Sequence, residues 1–195
     1  MKKLMGVLCI GCIGLFAACN SGSTNQDSVD SAENINDSLL PDSNSSAMAT
    51  APASEEDAKW VIEVANAGMT EVELSKLAQT KAVNPRLKSF ADMMVTDHTA
   101  VSDKLTQLAN SKSIALPGKL SDDSQKKLED LNKKTGKDFD KAYINDMLDG
   151  HKAAADKFQK GSTDLQDADL KNFASTTLPT IQMHQDSIKA IAGKK

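Results

Sequence analysis

The sequence predicts an all-α fold: an antiparallel four-helix bundle built from two helical hairpins, with a short connecting helix between them. Three observations point to it. Apolar residues recur at three- and four-residue spacing along four long stretches after residue 54. Aromatic residues make up only 4% of the 195-residue chain, and β-branched residues are scarce, which removes the usual material of sheets. The long stretches are divided at Asn84-Pro85, Leu116-Pro117-Gly118 and Gly161-Ser162-Thr163-Asp164, residues that favour caps and turns.

The chain opens with Lys2 and Lys3, followed by an uncharged apolar run from Leu4 to Ala18. That run is short for a membrane span, which needs ~20 residues, and suits the apolar region of a signal peptide. Leu15-Phe16-Ala17-Ala18-Cys19 resembles the lipobox of bacterial lipoproteins, although Phe16 stands where Leu is usual. The expectation is a leader over residues 1–18, cleavage before Cys19, and lipidation of that cysteine as the membrane anchor. Cys9 and Cys12 spell C-x-x-C but fall inside the leader, so the mature chain keeps no thiol for redox or metal chemistry. No acidic residue directly follows Cys19; the absence of Asp there favours the outer over the inner membrane, with the domain in the periplasm.

Residues 20–54 hold five acids, nine Ser and no Lys or Arg. Such a composition buries too little apolar surface to offset ordering entropy, so a disordered tether is expected. From there the helices follow in order. Ser54 with Asp57 makes a capping-box-like start, with Glu55 and Glu56 favourable in the first turn. The first helix presents Trp60, Val64, Ala67, Leu74 and Ala78, and Asn84-Pro85 ends it and begins the next. The second carries Leu87, Phe90, Ala91, Met94, Val95, Val101, Leu105 and Leu108. A short amphipathic piece spans Ser121–Lys134. The third helix is expected from about Asp138 to Lys160, broken by Gly161. The fourth runs from about Asp167 to Ala192, with Pro179 predicting a kink. Leu87-Lys88-Ser89-Phe90-Ala91 and Leu170-Lys171-Asn172-Phe173-Ala174 echo one another, each opening a helix after a turn, as two related hairpins would.

Charge narrows the function. The chain carries 23 basic and 27 acidic residues, a net −4, and the region after the tether is nearly neutral. Without a basic stripe it has no footprint for nucleic acid. It also lacks a Gly-rich phosphate loop, a G-x-S-x-G elbow and an H-E-x-x-H motif. No catalytic residue is assigned, and the reading leans away from an enzyme.

What remains is one inward polar residue per long helix. His98 has Ala91, Met94, Val95, Val101 and Leu105 at helical spacing; His151 has Ile144, Met147, Leu148, Ala154 and Phe158; His184 has Thr177, Ile181, Ile188 and Ile191. Glu71 sees Val64, Ala67, Gly68, Leu74 and Ala78, whereas Glu73 lies on a mixed, more solvated face. Glu71 stands thirteen residues before Asn84 and His98 fourteen after it, the same depth in an antiparallel pair. Unpaired, four such buried groups would cost several kcal/mol, so they need partners. Three imidazoles and a carboxylate suit one zinc, copper or iron ion. The alternative is a metal-free hydrogen-bonded core. Met94 and Met147, each four residues before a histidine, are read as core filler rather than thioether ligands.

Glu71-Val72-Glu73-Leu74, Phe90-Ala91 with Asp97-His98, Phe139-Asp140 with Tyr143 and His151, and Leu178-Pro179 with His184 resemble the bacterial domain-of-unknown-function family 4142, often labelled outer-membrane protein. The resemblance covers roughly residues 55–192 and implies a ferritin-like bundle exported to the envelope, with no agreed activity. A di-iron centre does not follow from it. Carboxylate-bridged bundles need Glu three residues before the histidine on two helices, and here those positions are Val95, Leu148 and Ile181. Two readings stand: a lipid-anchored envelope protein binding one divalent metal ion for storage, buffering or stress protection, or a metal-free helical interaction module tethered to the outer membrane. Neither fixes a protein partner or an oligomeric state.

Overall fold

The computed structural model describes residues 26–39 and 53–193, and over these the chain is all-α, with six helices and no strand. The predicted leader and Cys19 lie outside the described residues. The helices are α1 (Ser28–Leu39), α2 (Glu55–Lys81), α3 (Pro85–Ser111), α4 (Asp122–Asn132), α5 (Gly136–Asp164) and α6 (Ala168–Ala192). Along their lengths α2 packs on α3 and α5 on α6, while α2 also meets α5 and α3 meets α6.

Local chemistry sets most of the boundaries. Ser54 caps α2 by accepting from the Asp57 N–H at 3.1 Å. The Asp57 carboxylate does not return to close a capping box. It accepts instead from the backbone N–H groups of Gln166 and Asp167, both at 2.9 Å, in the turn before α6. Asp140 near the start of α5 does the same for Val83 and Asn84 in the turn before α3, at 3.0 and 2.9 Å. Asn84 caps α3 with Pro85 in its first turn, Ser121 caps α4, and Asp167 caps α6 through the N–H groups of Asp169 and Leu170. Gly193 closes α6 at φ 68°, a left-handed C-terminal position that costs glycine little. α6 continues as one helix across Pro179.

Two expectations need correction. Residues 28–39, placed in a disordered tether, form α1, which lies on α2 and on the connector between α3 and α4. Its buried face is Ser28, Ala32 and Asn36, small or polar at four-residue spacing, so an apolar-periodicity argument passes over it. Polar contacts hold it: the Asn36 amide exchanges two hydrogen bonds with Ala115, at 2.8 and 3.0 Å, and Ser28 Oγ donates to Lys119 O at 2.6 Å. Asp27 adds a carboxylate that accepts from the Asp122 N–H at 2.6 Å. The second correction concerns Gly161-Ser162-Thr163-Asp164, which does not break α5. The Ser162 and Thr163 hydroxyls fold back onto Gln159 O and Lys160 O, and Gly161 makes room for Trp60. A Cβ there would stand 2.8 Å from the indole nitrogen.

The core divides in two. One cluster gathers Trp60, Leu105, Phe158, Phe173 and Ile181, with Trp60 edge-on to Phe158 at 5.2 Å between ring centres. The other gathers Leu74, Phe90, Met94, Phe139, Tyr143, Met147 and Ile188. Met94 and Met147 are fully buried in it. Along each of α2, α3, α5 and α6, the inward polar residue lies between members of the two clusters. The site therefore sits at the waist.

Candidate metal centre

Glu71 from α2, His98 from α3, His151 from α5 and His184 from α6 meet at that waist, all buried. The His98 and His184 rings stack at 5.3 Å, and His151 stands edge-on to both, at 5.8 and 5.5 Å between centres. One ring nitrogen from each histidine lies within 4.8 Å of the others. These three buried histidines could hold a metal ion.

Each imidazole has one nitrogen engaged and one free. His151 Nδ1 donates to the carbonyl of Met147 at 2.9 Å, which places its proton on Nδ1 and leaves the Nε2 lone pair open. His184 Nε2 donates to Asp97 Oδ2 at 2.9 Å, freeing Nδ1. His98 Nδ1 lies 3.3 Å from Glu71 Oε2, and His151 Nδ1 lies 3.5 Å from Glu71 Oε1, so Glu71 spans two rings on their Nδ1 edges. The remaining atoms, His98 Nε2, His151 Nε2 and His184 Nδ1, are buried and have no hydrogen-bond partner among the described residues. A buried, unpaired imidazole nitrogen costs on the order of 1–3 kcal/mol. Three of them side by side call for a common partner.

The electrostatics favour neutral rings. Burial, with His151 and His184 alongside, holds His98 down to about 3. Burial also lowers His151, to about 4, against the pull of the Met147 carbonyl. Neutral imidazole is the ligand form, so neither ring has a proton to shed at neutral pH. Burial pushes Glu71 the other way, up to about 8. Lys127, at the border of the adjoining cavity, opposes this shift only in part, so Glu71 approaches the two rings largely as a neutral group rather than as one half of an ion pair.

The Glu71 position depends on a glycine opposite. A Cβ on Gly150 of α5 would stand 2.8 Å from Glu71 Oε1. Deeper in the same core, the Tyr143 hydroxyl pairs with Ser75 Oγ at 2.8 Å, and burial raises its pKa above the ordinary phenol value. Beside the histidines opens a cavity of about 560 Å³ bordered by Glu71, His98 and His184. Its apolar walls include Val64, Leu105 and Phe158, and Ser121, Ser124 and Lys127 border it from the α4 side.

All four sequence-derived site residues come together. The roles of Asp97 and of the Met147 carbonyl were not readable from helical spacing. Asp97 adjoins His98 in sequence but serves His184 on another helix.

No curated protein matches the chain. Among solved structures it is similar to one titled "Crystal structure of DUF305 fragment from Deinococcus radiodurans", with a TM-score of 0.64 at 12% identity over 73% of this chain and 98% of that one. At such low identity the likeness speaks for the helical fold alone. A family model described as Domain of unknown function (DUF4142) matches residues 42–191, starting just beyond α1. That match spans well over half of the sequence, and the chain belongs to the Domain of unknown function (DUF4142) family.

Proposed function

We propose that this is a cell-envelope protein, anchored through a lipid on Cys19 to the outer membrane, whose α2–α3 and α5–α6 hairpins form a ferritin-like four-helix bundle holding one divalent metal ion. The observation that supports it most is the trio of buried, partnerless nitrogens on His98, His151 and His184. Each ring is oriented from behind by Glu71, the Met147 carbonyl or Asp97, the arrangement that fixes tautomers in histidine metal sites. In this reading the histidines are the ligands and Glu71 is the orienting carboxylate. Three nitrogen ligands would fit zinc, copper or iron, and two of the three histidines, His98 and His184, also border the cavity. Metal–nitrogen bonds of about 2.0–2.1 Å require the rings to draw together by about an ångström, within reach of small rotations. Storage, buffering or protection against metal stress are the roles such a site serves.

The test is elemental analysis of the chain from Asn20 onward, after chelation and refilling with zinc, copper or iron. Near one ion per chain is expected. His98→Ala and His151→Ala should abolish it while circular dichroism stays helical. A folded chain that never retains an ion would leave the histidines as a hydrogen-bonded core and shift attention to a metal-free interaction module.

A further inference from the structure

The reciprocal Asp caps reveal a shift that relates the two hairpins. Asp140 follows Asp57 by 83 residues, and the N–H groups that Asp57 receives, from Gln166 and Asp167, follow those of Val83 and Asn84 by the same 83. Leu87, Phe90 and Ala91 map by that shift onto Leu170, Phe173 and Ala174, and all six are buried. Applied to the site, the shift takes Glu71 to Ala154 and His98 to Ile181, and it takes His151 back to Gly68 and His184 back to Val101. Those four residues all border the cavity that Glu71, His98 and His184 border. Where a second Glu/His cluster would stand, the chain has two small residues and two branched aliphatic ones. The result is an apolar chamber beside a polar one.

The cavity is partly open to solvent, with exposed Ala67, Asp123 and Ala153 at its border, so its apolar walls stay in contact with water unless a ligand covers them. At position 68 the missing side chain leaves room, since a Cβ there would meet only Ser102 Oγ, at 3.5 Å. An apolar cavity of about 150 Å³ admits benzene, so one of about 560 Å³ has room for a molecule nearly four times as large. The charged residues at its border are mixed in sign, Asp123 and Asp146 with Lys127 and Lys157, so they select for neither anion nor cation.

From these observations we infer that the chamber bounded by Gly68, Val101, Ala154 and Ile181 is a binding site for an uncharged, mainly apolar small organic molecule whose single polar group faces the histidines. The inference goes beyond the metal reading and does not require it. The molecule enters the metal-free chain as well.

The experiment uses the chain from Asn20 onward, stripped of metal, with N-phenylnaphthylamine as the neutral apolar probe. Saturable binding of one probe per chain is expected. In methyl-labelled protein, resonances of Val101, Leu105 and Ile181 should shift, while those of the exposed Ile35 and Leu39 should not. Ala154→Phe, or Val101→Phe if the first does not fold, should weaken binding by about tenfold or more. Absence of saturable binding would overturn the inference, as would methyl shifts confined to surface residues or undiminished affinity in a folded filled variant. Metal content is measured separately, so a chain that takes the probe but no ion separates the two proposals.

Discussion

Gly150 shows how one missing side chain places a functional group on another helix. Its hydrogen stands where a methyl would meet Glu71 Oε1 at 2.8 Å, and that oxygen lies 3.5 Å from His151 Nδ1. Gly150→Ala should therefore push the carboxylate off both imidazoles while leaving the three ligand nitrogens in the chain. Loss of an orienting partner of this kind costs about 10–100-fold in metal affinity. Competition titration against a chelator of known affinity should show that drop, and an affinity equal to wild type would count against Glu71 as the orienting group. The inward direction of Glu71, His98, His151 and His184 was legible because each lies on an apolar stripe. The need for Gly150 was not, because sequence spacing conveys nothing about what faces a residue across a helix interface.

Among the elements, α1 differs in how it is held. The long helices bury Leu, Phe and Met, whereas α1 buries Ser28, Ala32 and Asn36 and depends on directional contacts. Its pH response follows from Asp27. The Asp122 and Val29 N–H groups hold that carboxyl below the ordinary carboxylate range. A depressed folded pKa means stabilisation present above the unfolded value near 3.9 and lost as pH falls through the folded one. Amides of α1 should then exchange faster at pH 3 than at pH 6, relative to those of α3, in hydrogen-exchange experiments. Asp27→Asn should flatten that difference. The same polar anchoring explains why a composition-based reading expected disorder here. The partners Ala115, Lys119 and Asp122 lie some eighty to ninety-five residues away, beyond the reach of local pattern. The starts of α2, α3 and α6, by contrast, rest on neighbouring caps and were legible to within a residue or two.

At the scale of the whole molecule, two carboxylates fasten the hairpins to each other. Asp57 is 1% exposed and Asp140 8%, so the amides served by Asp57 have less access to replacement water. Asp57→Ala strands two N–H donors, at about 1–3 kcal/mol for each that stays buried. The expected loss is about 2–4 kcal/mol, larger than for Asp140→Ala. Urea unfolding of both variants measures it, and equal losses would show that the difference in burial does not govern the cost. The hairpin division itself could be read from turns and periodicity. The cavity could not, since it depends on which small residues face one another across helix interfaces, and spacing along a single helix does not convey that.

The crossed caps also bear on the order in which the chain is made. Val83 and Asn84 precede Asp140, the group that accepts from their N–H groups, by 57 and 56 residues. The chain emerges from its amino-terminal end, whether from the ribosome or across a membrane, so the first hairpin is complete in sequence before the partner of its turn is available. The second hairpin has no such wait, because Asp57 already exists when Gln166 and Asp167 are added. Biogenesis is thus asymmetric although the latch is reciprocal: the amino-terminal half stays unfinished, and exposed to whatever engages nascent chains, until the other half arrives.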